Sequence, residues 1–572
     1  MKLVEFRVDN YRCIEGGLEQ NAIKFGDAHT IFIFGKNNVG KSSFLKAYQA
    51  YYESSVSEDD FSFVYGEESR KNIEMELWLL VEESEDRERI NAQANGKYDS
   101  LTNFLENGIL KVKKVWSDSK TTKNFTWDPA SDDWVEKNYG GIGLDQVFQS
   151  LIPKPLLIQA MPTEKQVKDV VNEVLKEIAT AKLTKEQGDE LIEAQNKIKE
   201  LQDKVYDKET ISEYERQVNT EFNKLFKSYK ISIDDGKSRM KYTADKLGKD
   251  FEIDFMHSDN EKLTTYERMG HGAVRMAIFL LMLMRDELKS VGSSKKSHLI
   301  LFEEPELFLH PDLTKKLRKL VYEVSAGDMP FQILCASHSP QMIDMTKDHT
   351  SLVRMVKHER STVLHQVEKE DLKNEEQPTL EEVKQKVHEI LRFDPFMCES
   401  FYSDEVILVE GDTEAIMLRA YQEEFEGSRD VFIVNCGSCT NIPFYQKMFS
   451  KFNIPYSVIC DTDHLIDSKP EEKNRTGWNE KHENPTFESH IQKSIATQFY
   501  LDKELGKSKK FFVCAPTFEP HHASLEEPFK YEAIDGGKAV SANAYWEKIV
   551  ENKAENSFKD VPIISYVKSI HD

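Results

Sequence analysis

Short apolar runs of the kind that form buried strands recur along the chain, and several of them end at a glycine or a carboxylate. Leu3 to Val8 alternates with the two-residue period of a strand. His29 to Phe34 is a compact apolar run that stops at Gly35. Helical stretches follow these runs, so residues 1 to about 160 predict a parallel α/β core.

The pattern changes between residues 163 and 230, which are rich in Glu and Lys and contain almost no Gly or Pro. Apolar residues with three- and four-residue spacing form one narrow stripe: Leu191, Ala194, Ile198, Leu201 and Val205. The stripe lasts about two heptads. It fits a helical hairpin or a partner helix, and it fits an amphipathic helix packed on its own domain equally well. Both interpretations stay open.

A second α/β pattern fills the C-terminal part of the chain. Its apolar runs are Val406–Val409, Val431–Val434 and Tyr456–Cys460. The stretch from Glu368 to Lys386 is charged and contains Pro378, which is typical of a linker. The chain is therefore expected to be an α/β multidomain protein.

The composition fits this expectation. The 572 residues are 39% hydrophobic and 31% charged, enough for three or four domain-sized units with real cores. No apolar run approaches the ~20 residues of a membrane helix, and the first residues lack a signal-peptide apolar region. We therefore expect a cytoplasmic location and no membrane partner.

Cysteine usage and charge limit the candidate chemistry. Seven scattered cysteines argue against a disulfide scaffold, and the single CxxC at Cys436 and Cys439 lacks the second pair of soft ligands that a zinc site needs. The formal charge of −24 does not attract nucleic acid. Any DNA contact would need a local basic surface or bridging cations.

Residues Gly35 to Ser42 fit the phosphate-loop pattern GxxxxGK[ST], placed between an apolar strand and a helical stretch. Backbone N–H groups of such a loop wrap the phosphates, while Lys41 reaches the β and γ phosphates and Ser42 binds Mg²⁺. The predicted nucleotide-binding residues of the loop are Gly35, Asn37, Asn38, Gly40, Lys41, Ser42 and Ser43.

Two later strands supply groups for phosphoanhydride hydrolysis. The run His298 to Glu306 ends in carboxylates, and we assign Glu303 to the Mg²⁺ ion and Glu304 to the attacking water. A further strand ends at His338, whose imidazole could contact the γ-phosphate. A structural histidine is the alternative.

Gly270 and Gly272 precede an apolar helix and predict a second anion-binding loop, with Arg275 close behind. One subunit does not need two such loops for one nucleotide. We therefore expect this loop to close on the nucleotide of a second copy, in a homodimer or a higher oligomer.

The order of these motifs resembles the ABC ATPase heads of the SMC and RecF type. The switch segment Ala336-Ser337-His338-Ser339 and the opening strand around Phe6 to Ile14 belong to the same resemblance. It implies ATP held between two heads. Two departures leave the hydrolysis rate open: Met269-Gly270-His271-Gly272 replaces LSGGQ, and Glu303 stands where Asp is common.

Four acids in the C-terminal half predict a second metal site. Glu410 ends one apolar strand and Glu414 lies one helical turn further on, while Asp461 and Asp463 end another strand on one face. Acids that converge at parallel strand ends repel one another unless cations lie between them. Two Mg²⁺ ions, or Mn²⁺, are the expected occupants, and solvated loop acids are the alternative.

This spacing resembles the TOPRIM domain, and an ABC head joined to a TOPRIM domain resembles the OLD (overcoming lysogenization defect) family of ATP-linked nucleases. The resemblance covers nearly the whole chain. It implies a later Ser-x-Glu and Lys, for which Ser524-Leu525-Glu526 and Lys538 match, with Glu526 as a metal ligand and Lys538 at the scissile phosphate. Glu519 and Glu527 are close alternatives to Glu526.

The changes in residue pattern along the chain give the expected domain bounds, and the resemblance names the parts. They are 1–162 for the first part of the ATPase head, 163–230 for the helical insertion, 231–367 for the second part of the head, 368–400 for a linker and connecting helix, and 401–572 for a Rossmann-like TOPRIM domain with a parallel sheet.

The expected function is ATP-regulated, Mg²⁺-dependent DNA cleavage in defence against bacteriophage. Relatives act alone, with a helicase-like partner as in Gabija, or beside a retron RNA-DNA, and no residue selects among these. Two rival functions are an ATP-gated DNA clamp of the SMC or RecF kind with a TOPRIM module that does not cut, and a topoisomerase-like strand transferase. The latter requires a tyrosine nucleophile on a DNA-gripping domain.

Overall fold

The structure is a computed structural model, and its residues fall into two compact units. One unit comprises Met1–Met342 and Met355–Leu364, and the other comprises Ile343–Arg354 and His365–Asp572. Among the described residues, no helix combines the length and apolar character needed to cross a membrane. The described residues are 1–25, 29–62, 71–93, 98–136, 152–161, 168, 172, 208–225, 229–234, 252–257, 263–264, 270–284, 297–325, 331–344, 351–358, 361–368, 371–373, 379–393, 396–424, 428–461, 511–514, 517–552 and 560–571.

An antiparallel sheet forms one layer of the first unit. Its strands, numbered along the chain, are β1 (Lys2–Asp9), β2 (Ala22–Lys24), β4 (Ile73–Leu80), β5 (Leu105–Glu106), β6 (Ile109–Trp116), β7 (Thr122–Asp128) and β8 (Asp133–Glu136). They follow the order β2-β1-β4-β6-β7-β8, with β5 paired to β6. Side chains along β6 alternate between buried and half-buried, as on a sheet with one covered face.

A second sheet carries the predicted phosphate loop. Its strands are β3 (Thr30–Phe34), β9 (Lys154–Ile158), β13 (His298–Glu303), β14 (Phe331–Ala336), β15 (Leu352–His358) and β16 (Ser361–Gln366). The order is β16-β15-β3-β14-β13-β9, and β3, β14, β13 and β9 are parallel. Parallel strands end at one edge, so the segments that follow β3, β13 and β14 meet there.

Helices and a small third sheet complete the first unit. The helices are α1 (Lys41–Glu53), α2 (Glu83–Gln93), α3 (Tyr98–Leu101), α4 (Lys208–Leu225), α5 (His271–Met284) and α6 (Pro311–Ser325), with 3-10 turns at Glu58–Asp60, Thr102–Phe104 and Pro340–Met342. The third sheet pairs β10 (Tyr229–Asp234), β11 (Glu252–His257) and β12 (Leu263–Thr264). The apolar stripe predicted from Leu191 to Val205 lies outside the described residues.

The second unit is built on a four-stranded parallel sheet. Its strands are β17 (Glu405–Val409), β18 (Val431–Asn435), β19 (Tyr456–Asp461) and β20 (Phe511–Cys514), in the order β18-β17-β19-β20. Its helices are α7 (Leu380–Phe393), α8 (Asp412–Glu424), α9 (Ile442–Lys451), α10 (Phe518–Ala523), α11 (Lys538–Glu551) and α12 (Pro562–His571), with 3-10 turns at Met397–Tyr402 and Cys439–Asn441. The α/β multidomain fold is confirmed.

The core of the second unit explains why β17 tolerates no polar side chain on its last four residues. Val406 to Val409 are fully buried because the sheet is covered on both faces. Tyr421 of α8 meets Trp546 of α11 edge to face, with ring centroids 5.8 Å apart. α7 begins within the charged stretch that was predicted as a linker. Val383 and Val387 lie four residues apart on one face of this helix, and burial of both side chains stabilises it.

Candidate nucleotide and metal sites

The predicted phosphate loop lies between β3 and α1 at the carboxyl edge of the sheet, and it opens onto a cleft of about 700 Å³. The residues that line the cleft are Cys13, Asn37, Asn38, Gly40, Lys41, Ser42, Ser43, Glu304 and His338. The structure thus brings the loop together with two of the groups that we predicted from distant strands.

Glycine is required at two positions of the loop. Gly40 has φ 102°, and a Cβ there would lie 2.6 Å from Cys13 Sγ. Gly35 has φ 149°, and its Cβ would collide with the Met355 carbonyl oxygen. Backbone of this conformation, with no Cβ in the way, can present its N–H groups to an anion at the start of α1.

Lys41 is buried and turned onto its own loop. Its Nζ donates to the carbonyl oxygens of Gly35 (2.6 Å) and Lys36 (2.7 Å). Burial lowers the pKa of Lys41 to about 8, and Glu304 and Glu306 oppose this shift. The ammonium is therefore held at the loop by carbonyls that a phosphate group could replace.

Glu304 and His338 form a pair inside the cleft. Glu304 follows β13 in the left-handed region (φ 44°), where its N–H donates to Ala336 O at 2.7 Å. Its Oε1 lies 3.3 Å from His338 Nε2. Burial, assisted by nearby Lys41, lowers the pKa of His338, so the imidazole is neutral at pH 7. A neutral imidazole and a carboxylate can share the proton of a water molecule.

Arg275 does not belong to an anion-binding loop, contrary to our expectation. It is buried on α5, and its guanidinium donates to the carbonyl oxygens of Glu303 and of Leu307, the latter at 3.3 Å. Its charge is used inside the fold to hold the segment that follows β13. Of the second glycine loop, Gly270 is exposed and Gly272 is buried, while residues 265–269 lie outside the described residues.

Glu303, the predicted Mg²⁺ ligand, ends β13 and is half-buried. It is not among the described residues that line the cleft.

The second unit brings together acids from separate strands. Glu410 follows β17, and its Oε2 accepts a hydrogen bond from the Asp461 N–H at the end of β19 (3.1 Å). Glu414 lies in the first turn of α8, and its Oε2 is 3.4 Å from where a Cβ on Gly411 would be. A Cβ at 411 would therefore be in ordinary van der Waals contact with this carboxylate. Asp463 lies outside the described residues.

Glu414 shows the electrostatic cost of this arrangement. Burial, with Glu410 and Glu519 nearby, raises the pKa of Glu414 to about 7, and Lys538 opposes the shift. The Glu414 residue is only 3% exposed. A cation among these acids would remove the repulsion and restore the charged form.

Glu519 also lies near Glu414. Thr413 Oγ1 (3.4 Å) and Thr517 Oγ1 (3.2 Å) donate to Glu519, and Lys538 Nζ lies 3.3 Å from its Oε1. Glu526 is exposed on the turn after α10. The sequence held a signal that we did not use: Thr517-Phe518-Glu519 follows the fourth parallel strand, as the other acids follow theirs.

Asn435 is a second residue that the sequence did not reveal. It ends β18, its Nδ2 donates to Asp412 Oδ1 (2.7 Å), and its Oδ1 accepts from Gly437 N (2.9 Å). Asp412 is the first residue of α8. Asn435 therefore fixes the start of the helix that carries Glu414.

The donor set fits a hard divalent cation, because it consists of carboxylate oxygens. Within the described part of the chain, no three acidic, histidine or cysteine side chains are yet close enough to enclose an ion. Glu410 and Glu519 are instead occupied by the Asp461 N–H and by Lys538. These side chains would have to turn toward an ion, and Asp463 would be a further donor.

These features define a class: a phosphate-loop ATPase head joined to a TOPRIM-type acidic site on a parallel sheet. The comparisons with known proteins agree. Residues 110–343 match the family described as AAA ATPase domain, and residues 401–463 match the family described as overcoming lysogenization defect protein-like, TOPRIM domain. The combination implies use of a nucleotide and of a divalent metal ion.

The similar curated proteins are named as nucleases. The Old nuclease of Escherichia phage P2 is 23% identical over 471 residues, which are 76% of this chain and 73% of that protein. Endonuclease GajA of Bacillus cereus is 24% identical over 483 residues, 81% of this chain and 75% of that protein. The OLD nuclease of Thermus scotoductus is 26% identical over 181 residues, 31% of this chain and 33% of that protein.

The chain thus carries an AAA ATPase domain and an OLD-like TOPRIM domain and is homologous to these nucleases, so the resemblance read from its motifs is confirmed. Among solved structures, an Smc head bound to the C-terminal winged-helix domain of ScpA covers 64% of this chain and 98% of its own, with 12% identity and a TM-score of 0.41. That similarity is too distant to support an argument.

Proposed function

We propose that this protein is an ATP-regulated, Mg²⁺-dependent endonuclease that cuts DNA at the acidic cluster of its second unit. The observation that carries the proposal is the convergence of acids that follow three parallel strands, Glu410 after β17, Asp461 at the end of β19 and Glu519 after β20, with Glu414 buried beside them. Bound divalent ions supply an activated water and stabilise the leaving oxygen of a phosphodiester.

The chain's own residues would divide this work as follows. Glu410, Asp461 and Glu519 hold the ions, with Asp463 as a further ligand. Glu414 binds in its charged form once a cation is present, because burial otherwise raises its pKa to about 7. Lys538 is exposed at the start of α11 and can meet the phosphate. Mn²⁺ would be accepted at the same oxygen ligands.

In the first unit, Lys41, Ser42 and the loop backbone would bind ATP with its Mg²⁺. Glu303 is proposed at the metal, as the sequence suggested. Glu304 and His338, 3.3 Å apart in the cleft, would position the attacking water. Gly270 and Gly272 are proposed to approach the nucleotide of a second copy in a homodimer, and the exposure of Gly270 and His271 supports this.

Similarity to nucleases such as endonuclease GajA supports a biological setting for this proposal. A nuclease controlled by ATP fits defence against bacteriophage inside the cytoplasm, acting alone or with a helicase-like protein or a retron RNA-DNA. Since the chain carries a formal charge of −24, its DNA contact must depend on bridging cations and on local basic groups such as Lys538.

The test is cleavage of supercoiled plasmid by the full-length protein with Mg²⁺ or Mn²⁺, with and without ATP. We expect nicked or linear product from the wild type, none from Glu410→Ala, and an altered nucleotide response from Lys41→Ala. Glu423→Ala changes an exposed glutamate on the same helix as Glu414 and should leave cleavage unchanged.

Other outcomes identify the rival functions. Full cleavage by Glu410→Ala would reject the assigned site. Nucleotide-dependent DNA binding without any cleavage would favour a DNA clamp. Religated, relaxed plasmid with a transient covalent protein link would favour a strand transferase.

A further inference from the structure

Glu306 is a half-buried acid of the first unit that the ATPase roles above leave unused. It lies two residues after Glu304, and its side chain reaches the neighbouring strand end. Its Oε1 accepts hydrogen bonds from Ser337 Oγ (2.9 Å) and from the His338 N–H (2.8 Å). One carboxylate oxygen therefore holds two consecutive residues of the switch segment after β14.

The segment that follows β13 contacts His338 at two points, its main chain and its side chain. Its main chain is bound to Glu306, and its imidazole Nε2 lies 3.3 Å from Glu304 Oε1. Glu304 and Glu306 are two residues apart and flank the buried Pro305. The distance between the imidazole and the Glu304 carboxylate thus depends on where Glu306 holds the His338 main chain.

Contacts around Glu306 separate a positioning role from a direct one. Glu304 and His338 line the nucleotide cleft, whereas Glu306 is not among the described lining residues. Its Oε2 is buried and accepts no hydrogen bond from any described residue. Burial raises the pKa of Glu306, and nearby Arg275, which holds the carbonyls on either side of this segment, is one of the groups that oppose this shift.

Ser337 shows that the switch segment is otherwise fixed at its start. Its side chain is buried, and its N–H donates to Ile33 O of β3 at 2.9 Å. The chain leaves the sheet at the next residue. Glu306 therefore acts at the point where sheet pairing no longer determines the main-chain path.

We propose that Glu306 is a positioning residue for ATP hydrolysis: by accepting from Ser337 and from the His338 N–H, its carboxylate sets His338 against Glu304. The inference rests on the proposed roles of Glu304 and His338. It requires an acceptor oxygen at this reach, not the negative charge. Misplacement of a reacting group by about 1 Å can cost roughly 100-fold in rate.

The experiment measures steady-state phosphate release from Mg-ATP by the full-length protein, with active sites counted by nucleotide titration. Glu306→Gln keeps the acceptor and the reach, and kcat should stay within about 3-fold of wild type. Glu306→Asp keeps the charge but is one methylene shorter, and Glu306→Ala removes the acceptor. Both should lower kcat roughly 10- to 100-fold with little change in KM.

A double-mutant comparison distinguishes positioning from general damage. In a His338→Ala background, Glu306→Ala should lower kcat by less than about 3-fold further, because there is no imidazole left to position. Ser337→Ala, which removes one donor, should give a smaller loss that is also absent in that background. Glu323→Ala, an exposed glutamate on α6, is the matched control and should leave kcat unchanged.

Failure can be assigned to its source. If His338→Ala and Glu304→Gln hydrolyse ATP like the wild type, the proposed roles beneath this inference are wrong. If they lose activity while Glu306→Ala keeps its kcat, or raises KM alone, the positioning role is wrong. If the losses in kcat from Glu306→Ala and His338→Ala multiply in the double mutant, the positioning role is also wrong. If Glu306→Ala does not fold, the Ser337→Ala variant, measured with and without His338→Ala, decides the question.

Discussion

At the residue scale, chemistry depends on which of several similar side chains the fold selects. Glu519, Glu526 and Glu527 are near neighbours in the sequence, yet it is Glu519 that accepts from Thr413 and Thr517 and pairs with Lys538. One of these four residues, Thr413, lies more than a hundred residues away from the other three. Local sequence could supply the candidates but could not rank them.

Exchange of single glutamates tests this selection. Glu519→Gln should reduce metal-dependent plasmid cleavage by at least about 100-fold, since an ion-binding charge is worth several kcal/mol in the transition state. Glu526→Gln, the matched exchange on the exposed turn, should stay within twofold of wild type. Initial rates at saturating Mg²⁺ make the comparison. The reverse ranking would return the ligand role to Glu526.

Glu414 gives a pH prediction for the metal-free protein. Its pKa rises from an ordinary 4.5 to about 7 on folding, so the folded state binds this proton more tightly than the unfolded state. Stability from this group is therefore complete below pH 4.5 and is lost as pH rises through 7. In the presence of a chelator, the unfolding free energy of the second unit should fall by on the order of 3 kcal/mol between pH 5 and 8.

Urea unfolding at several pH values measures this loss. Glu414→Gln should remove the slope and be more stable than the wild type at pH 8 without metal. Adding Mg²⁺ should reverse their order, because the cation stabilises the charged wild-type carboxylate. A wild-type stability that does not change between pH 5 and 8 would show that Glu414 is not desolvated as described.

At the element scale, the predictable features are those set by a few consecutive residues. The phosphate loop and the acids after β13, β17 and β19 were found from sequence, because a short apolar run followed by a polar residue marks the end of a buried strand. Arg275 was misjudged for the opposite reason. Its partners, the carbonyls of Glu303 and Leu307, are some thirty residues away in the sequence. Only the packing of α5 shows that the Arg275 guanidinium donates its hydrogen bonds to these carbonyls.

Arg354 is a similar residue that no sequence pattern reveals. Its guanidinium donates to the carbonyls of Phe401 and Ser403, before β17, and of Phe452 and Asn453, before β19. Only 7% of the residue is exposed, and burial lowers its pKa to about 10. It therefore fixes the amino ends of the two strands whose carboxyl ends carry Glu410 and Asp461.

Removal of this guanidinium should destabilise the second unit. Arg354→Met fills a similar volume but leaves these buried carbonyls without their donor, at a cost of about 3 kcal/mol in unfolding free energy. Denaturant unfolding of the metal-free protein measures it. Arg318→Met, which removes an exposed hydrogen bond to the Gln341 carbonyl, should cost less than about 1 kcal/mol. Equal effects of the two exchanges would contradict the anchoring role.

At the scale of the whole molecule, the chain itself links the two chemistries. It passes between the units after Met342, after Arg354 and after Leu364. Arg354 serves the second unit, while the next residue, Met355, places its carbonyl behind Gly35 of the phosphate loop. On the following strand, Thr362 Oγ1 donates to Val39 O of that loop at 2.8 Å. The consecutive residues Arg354 and Met355 thus belong to the second unit and to the first unit, respectively.

Two units with different ligands predict two unfolding transitions that respond separately. A non-hydrolysable ATP analogue with Mg²⁺, at 100 times its Kd, should stabilise the first unit by about 2.7 kcal/mol and raise its Tm by roughly 5 °C. Mn²⁺ alone should raise the transition of the second unit. Scanning calorimetry of the full chain resolves them. Lys41→Ala should abolish only the first shift and Glu410→Ala only the second, whereas one transition that responds to both ligands would mean that the units unfold together.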